Sequence, residues 1–392
     1  MTSKSQRKSA FTFIVAIGFV SLFADMTYEG ARSVVGPFLK DLGASATQVG
    51  IIAGAGEMIA ASLRLFTGRL ADRTRAYWIL TGSGYFLNLA AVPLLAFAGN
   101  WQLAALLIIA ERTGKALRGP SVDVLLSEST QVVGHGWGFG LHAAMDQAGA
   151  VLGPILVTIA VAREHQFNVA FAWLTVPAIA ALVSLAVARV VRARQDRPPP
   201  PAPTQRNLPR VFWFYVAAAG LLALGFIDFP LLAYHFQKSS VTKPQVIPLL
   251  YALAMGLGGL TALAFGKLFD RFGIVVIVPG ILISLLALPF GFLGGAIGAY
   301  VSVVCWATGI GAQDALLRPG IAQVVSMNKR GSAFGALNGV YGVLWFAGSA
   351  TMGLLYDHSF IALIVFGVAA QLGAAAFFFC LRKPLAAAAK SD

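Results

Sequence analysis

The chain has 392 residues, of which 58% are hydrophobic and only 11% charged, and its formal net charge is +13. Soluble domains hold roughly 45–50% apolar and about 25% charged residues, so this composition excludes an ordinary soluble protein and predicts a polytopic membrane protein. The basic residues lie between apolar runs rather than in one cluster, so we expect them to mark the membrane surface and not to bind nucleic acid.

Twelve apolar segments are long enough to cross a bilayer as helices, which satisfy their own backbone groups in lipid. The first segment follows Lys4, Arg7 and Lys8, as in a signal peptide. It continues past position 24 without a small-residue cleavage site, so we expect it to be retained as a span. The predicted spans are residues 11–38, 48–66, 76–98, 102–124, 137–161, 168–190, 211–235, 244–265, 273–293, 296–318, 332–356 and 358–381.

Lys and Arg are distributed unequally between the two sides of these spans. If the N-terminus is inside, the outside loops hold only Lys40, Arg163, Lys238 and Lys243, and the inside segments hold far more basic residues. Cytoplasmic loops carry this excess in membrane proteins. We therefore expect an integral plasma (inner) membrane protein with both termini in the cytoplasm.

A Pro- and Arg-rich stretch, residues 191–209, interrupts the apolar pattern near the middle of the chain. Its composition predicts an extended, solvated cytoplasmic linker between two six-helix bundles, residues 1–190 and 210–392. The halves also repeat: "GRLADR" at 68–73 is echoed by "GKLFDR" at 266–271, and "ALRGP" at 116–120 by "ALLRP" at 315–319. Such internal repeats are typical of secondary transporters.

The chain resembles the major facilitator superfamily over essentially its full length, because "GRLADR" is similar to that family's motif A. The resemblance implies an all-α fold of twelve spans in two pseudo-symmetric bundles, working by alternating access. It also implies a gating role for the two copies of the motif. To these we add two arginines that lie near the cytoplasmic ends of their spans. This gating set is Gly68, Asp72, Arg73, Arg118, Asp270, Arg271 and Arg318.

Two further motifs are similar to those of the drug/proton antiporters. The fifth span holds Gly140, Gly149, Gly153 and Pro154 in the spacing with which the antiporter motif C begins. In the fourth span, Arg112 matches the arginine of motif B. The resemblance implies efflux by exchange for protons.

Charged residues inside the spans form two stripes at helical spacing. Asp25, Tyr28, Glu29 and Arg32 share a face of the first span, as do Glu111, Lys115 and Arg118 in the fourth. An intramembrane charge is costly, so such stripes face a cavity or pair with each other. Pairing among themselves is the alternative for any one of them, and a helix-packing pair is the alternative for His142 with Asp146.

Proton coupling requires an acid whose proton affinity responds to burial and to a nearby cation. On this ground we assign coupling to Asp25, Glu29, Glu57, Arg112 and Asp146. The other residues of the stripes apart from Arg118, the acids of the seventh and tenth spans, and polar and aromatic residues of the eleventh are expected to bind substrate. These are Tyr28, Arg32, Glu111, Lys115, Asp228, Asp314, Asn338, Tyr341 and Trp345.

The favoured hypothesis is proton-coupled export of a small organic compound by a monomer in the lipid bilayer. The alternative is proton-coupled uptake of a small organic anion, which the cations Arg32, Arg112 and Lys115 would hold. A non-transporting receptor or scaffold is a third reading, but it gives no reason to keep buried ions. We expect no cofactor, no metal and no catalytic residue, since the chain has no phosphate-binding loop, no metal-ligand spacing and no nucleophile–His–acid arrangement.

Overall fold

A computed structural model describes residues 3–133, 135–192, 208–322, 325 and 330–388. Within these ranges every regular element is a helix, so the predicted all-α fold is confirmed. The long helices are α1 Ser3–Asp41, α2 Ala46–Thr74, α3 Tyr77–Leu94, α4 Trp101–Val133, α5 His135–Glu164, α7 Thr175–Arg192, α10 Val246–Phe272, α13 Gly295–Ala322, α14 Arg330–His358 and α15 Phe360–Ala388. Shorter ones are α6 Phe167–Trp173, α8 Arg210–Gly225, α9 Phe229–Lys238, α11 Ile277–Ser284 and α12 Ala287–Leu293, with two 3₁₀ turns at Leu95–Phe97 and Gly273–Val276.

Nine helical segments of the described chain are long and apolar enough to cross a membrane. One of them, Val246–Leu293, covers both the eighth and the ninth predicted spans. The predicted fourth and eleventh spans lie in α4 and α14, which do not qualify, and α4 fails because of its charged residues. The count of twelve is therefore not fully confirmed.

Three predicted spans are interrupted, and each interruption lies about four residues before a proline. The sixth breaks after Trp173, the seventh at Phe226 and the ninth after Ser284. Pro177, Pro230 and Pro289 have no backbone N–H to donate to the carbonyl one turn earlier, which weakens the helix there.

The contacts divide the described residues into two compact units. Unit 1 lies within Met1–Phe38, Leu63–Pro201 and Pro244–Ala252, and unit 2 within Leu39–Ser62, Ala202–Lys243 and Leu253–Asp392. The bundle boundaries that the sequence suggests, at 190 and 210, stay a prediction.

Unit 1 contains a close approach of α3 to α4. A Cβ at Gly84 would overlap the backbone of Gly114 and Arg118, so both helices need small residues where they cross. This contact fixes α4, which carries most of the charges of the unit, against α3.

Unit 2 has an apolar core made mainly by α8, α13 and α15. Its largest buried side chains include Phe212, Tyr215 and Phe378, and the Tyr215 hydroxyl donates to the Leu317 carbonyl at 2.7 Å. In the same unit the start of α2 lies on α14, where Asp357 Oδ2 accepts hydrogen bonds from the backbone N–H (3.0 Å) and hydroxyl (2.7 Å) of Thr47.

Candidate functional site

The charged stripe of α1 is buried in unit 1. Tyr28 and Glu29 are 6% and 8% exposed, whereas Asp25 and Arg32 are half-buried on the same face. The predicted i, i+3, i+4, i+7 spacing therefore faces the protein interior.

Glu29 uses both of its carboxylate oxygens. Lys115 Nζ of α4 lies 3.8 Å from Oε1, and the Tyr251 hydroxyl of α10 donates to Oε2 at 2.5 Å. The ammonium of Lys115 also lies 4.0 Å from the centre of the Tyr28 ring. An acid of one stripe and a base of the other thus meet around two tyrosines.

Tyr251 was not among the predicted site residues. It shares a helical face with Met255 in an otherwise apolar run, so its hydroxyl in the stretch "PLLYALAMG" is the one signal that the sequence offers. The structure brings this buried side chain, 1% exposed, onto an acid 222 positions earlier in the chain.

Glu111, the acid in the charged stripe of α4, pairs inside its own unit. Arg112 Nε lies 3.2 Å from Glu111 Oε2, and the Asn88 amide of α3 donates to Glu111 Oε1 at 2.7 Å. Glu111 and Lys115 have the i, i+4 spacing of a helical ion pair, but Lys115 contacts Glu29 because α1 lies beside it.

Arg118, one turn beyond Lys115, contacts aromatic rings. Its guanidinium carbon is 4.3 Å from the centre of the Tyr85 ring and 5.8 Å from that of Tyr28. The residue is 7% exposed, and its Nε has no hydrogen-bond partner among the described residues. Arg118 is therefore a buried cation held by ring faces.

A second polar cluster joins α1 to α5. His142 Nδ1 lies 3.2 Å from Asp146 Oδ2, and His142 Nε2 lies 2.9 Å from the Ser21 hydroxyl oxygen. Asp25 lies within electrostatic reach of Asp146, Lys115 and Glu29. Two predicted coupling acids are thus brought together.

Glycines of α5 allow this cluster to form. A Cβ at Gly149 would overlap the Leu22 carbonyl oxygen and come within 2.9 Å of Asp25 Cβ, and a Cβ at Gly153 would overlap the Met26 carbonyl oxygen. These glycines, which the sequence assigned to motif C, let α5 lie directly on the acidic face of α1.

In unit 2, Asp228 lies at the break between α8 and α9. Its side chain is 2% exposed and accepts hydrogen bonds from Trp345 Nε1 at 2.9 Å and from the Ser349 hydroxyl, both on α14. The Ile227 carbonyl, freed by the same break, accepts from Trp306 Nε1 at 2.8 Å. Asp228 therefore stabilises the packing of this break against α14.

Tyr341 of α14 lies near the other predicted acids of unit 2. Its hydroxyl donates to Gln313 Oε1 at 2.5 Å, and Glu57, Asp228 and Asp314 are within electrostatic reach. Asp314 is exposed, whereas Glu57 and Asn338 are half-buried.

Among the described residues, members of the gating set make little contact with one another. Gly68 packs near Pro120, where an added Cβ would lie 3.7 Å from Pro120 Cβ. Arg73, Asp270 and Arg271 are exposed at the ends of α2 and α10. The side chains of Asp72 and Arg318 lie outside the described part of the chain.

A family model described as Major Facilitator Superfamily matches residues 17–349. An uncharacterised protein of Mycobacterium tuberculosis is 39% identical over 385 residues, covering 96% of this chain and 94% of that protein. An uncharacterised MFS-type transporter of Methanocaldococcus jannaschii is 24% identical over 296 residues, covering 71% of this chain and 72% of that protein.

Solved structures share the fold at low sequence identity. A peptide transporter POT in complex with sulfate superposes with a TM-score of 0.75 at 13% identity, covering 100% of this chain and 99% of that one. The nucleoside transporter NupG superposes with a TM-score of 0.67 at 12% identity, covering 96% and 98% of the two chains.

Proposed function

Because the chain belongs to the Major Facilitator Superfamily and is a membrane transporter rather than an enzyme, we propose that it exports a small organic compound in exchange for protons. Secondary transport by this family requires two states that open alternately to either side of the membrane. The observation that carries the proposal is the pairing of Glu29 with Lys115 beside Asp25 in unit 1.

The two acids in the charged stripe of α1 take different parts in this proposal. Glu29 has a cation on one carboxylate oxygen and a tyrosine hydroxyl on the other, so it holds Lys115 in place. Asp25 is half-buried and lies within electrostatic reach of a second acid, Asp146, so a proton on Asp25 relieves a like-charge repulsion. We therefore assign the exchanged proton to Asp25.

The contacts of the basic side chains with carboxylates support export over anion uptake. Lys115 and Arg112 each contact a carboxylate of their own unit, which leaves less positive charge for a substrate anion. The α5 glycines that match motif C also lie on the acidic face of α1.

One observation favours the alternative of proton-coupled uptake of an organic anion. Arg118 contacts the Tyr28 and Tyr85 rings, and its Nε makes no hydrogen bond in the described part of the chain. A guanidinium with an open donor is suited to a carboxylate or phosphate group.

Oriented proteoliposomes with an internal pH dye distinguish the two directions. Compounds that raise the thermal stability of the purified protein, screened among lipophilic cations and carboxylates, serve as test substrates. If the protein exchanges the compound for protons, the two move in opposite directions. If it takes up the compound together with protons, both move in the same direction. An acidification of the lumen when the compound leaves supports export, and an alkalinisation supports the alternative.

The family also bears on location and assembly. We propose that the protein works as a monomer in the plasma (inner) membrane, with both termini in the cytoplasm, as two six-helix bundles joined by residues 191–209. The excess of Lys and Arg on the side of the termini supports this orientation.

A further inference from the structure

His142 is held at both of its ring nitrogens. Nδ1 lies 3.2 Å from Asp146 Oδ2 on α5, and Nε2 lies 2.9 Å from the Ser21 hydroxyl oxygen on α1. A carboxylate and a hydroxyl can both accept hydrogen bonds from an imidazolium. The ring can therefore gain a proton and keep both contacts.

Carboxylates from three helices lie within electrostatic reach of this ring. Asp146 of α5, Asp25 of α1 and Asp123 of α4 act on it electrostatically, while Arg118 of α4 acts on Asp25 and Asp146. A positive charge on His142 is thus balanced by Asp123 and by two acids that the proposed coupling already uses.

One member of the cluster is more exposed than the ring itself. The Asp146 side chain is 37% exposed, compared with 14% for His142. The two contacts of the ring also come from different helices, so a displacement of α1 against α5 breaks one of them. Proton binding at His142 is then linked to the position of α1.

We propose that His142 is a second proton-binding residue of the transport cycle, acting beside Asp25; this inference rests on the proposed proton coupling. The neutral ring accepts one proton from water that reaches Asp146 and becomes an imidazolium. It releases that proton to water when α1 moves away and the contact with Ser21 is lost. One imidazole N–H bond forms and later breaks, and no other co-reactant is needed.

The experiment counts the protons that are linked to the conformational change. Cys305 and Cys380 are replaced by Ala, and Arg189→Cys and Phe272→Cys, at exposed sites, carry a donor and an acceptor dye. The equilibrium between the two conformations is measured as a function of pH in lipid nanodiscs. Its pH dependence gives the number of protons taken up, at about tenfold per pH unit for each proton.

We expect the wild-type equilibrium constant to change about 100-fold per pH unit, as two protons require, and the His142→Gln variant to change about tenfold. Asp25→Asn is expected to give the same reduction as His142→Gln. His358→Gln removes an exposed histidine at the end of α14 and is expected to keep the wild-type slope. His142→Asn gives a second comparison if the glutamine variant does not fold.

The outcomes separate the two proposals. A wild-type protein whose conformation does not respond to pH overturns the proton coupling and this inference with it. A reduced slope in Asp25→Asn together with an unchanged slope in both His142 variants overturns the role of His142 alone. A purely structural histidine would shift the equilibrium at every pH and leave the slope as it is.

Discussion

Lys115 joins the two charged stripes of unit 1. Its ammonium contacts Glu29 and the Tyr28 ring, and Glu29 in turn accepts from Tyr251. Both charges lie mostly out of water, so each depends on the other for compensation. Removing one of them takes away the opposite charge that contacts the other.

We predict that Lys115→Gln lowers the free energy of unfolding by about 2 kcal/mol, less than the 3–5 kcal/mol typical of a broken buried pair. The loss is smaller because Glu29 keeps its bond from Tyr251 and because the Lys115 side chain is 21% exposed. Denaturant unfolding in detergent measures the loss of unfolding free energy for Lys115→Gln, Glu29→Gln and the double variant. The double variant should lose less than the sum of the single losses, and strict additivity would show that the two residues do not interact.

Asp228 was expected to bind substrate, and its contacts suggest a structural role in addition. We predict that Asp228→Ala costs about 3 kcal/mol of unfolding free energy, because it removes an acceptor from the buried Trp345 and Ser349 donors. Asp228→Asn should cost less, since its amide oxygen can still accept from Trp345. Thermal unfolding of the two variants checks this, and an Asp228→Ala protein as stable as wild type would contradict it.

At the scale of the helix, the contact of α5 with α1 depends on the absence of a side chain. Gly149 and Gly153 lie against the Leu22 and Met26 carbonyls, and this approach places Asp146 beside Asp25. Gly140, on the same helix, has no described atom outside its own helix backbone and its two chain neighbours within 4 Å of the place where its Cβ would lie. The helix therefore provides its own matched control.

We predict that Gly149→Ala destabilises the protein by about 1–3 kcal/mol through overpacking. Gly140→Ala should be neutral or stabilising by up to about 1 kcal/mol, because alanine has the higher helix propensity. The unfolding midpoints of the two purified variants, compared with that of the wild type, test this prediction. Equal midpoints would mean that α5 does not lie directly on α1.

The helices themselves were largely predictable, whereas their interruptions were not. Long apolar runs define spans by composition alone, but the breaks at Trp173, Phe226 and Ser284 depend on Pro177, Pro230 and Pro289. Other prolines, such as Pro93, Pro120 and Pro154, lie inside unbroken helices. A proline removes one hydrogen bond wherever it lies, and the packing around it decides whether the helix ends.

For the molecule as a whole, the sequence identified the charged faces but not which residues meet. Helical spacing placed Asp25, Glu29 and Lys115 on interior stripes, and the structure agrees with it. The contacts of Tyr251 with Glu29 and of Ser21 with His142 join residues more than a hundred positions apart. No local pattern specifies such pairs, because they depend on how the helices pack.

We propose that Asp25 and Glu29 of α1 couple transport to protons, and Asp25 is the residue whose removal tests this coupling. Exchange of labelled for unlabelled compound across the liposome membrane needs no net proton movement, whereas accumulation driven by a pH gradient does. A protein that couples through Asp25 should therefore separate the two activities when this carboxylate is removed.

The most direct measurement compares both activities in wild-type, Asp25→Asn and Glu29→Gln proteoliposomes, using a compound found by the thermal-stability screen. We predict that Asp25→Asn keeps exchange within about twofold of wild type but lowers gradient-driven accumulation by about tenfold per unit of pH gradient, since its amide cannot carry its proton. Full gradient-driven accumulation in both Asp25→Asn and Glu29→Gln would contradict the account.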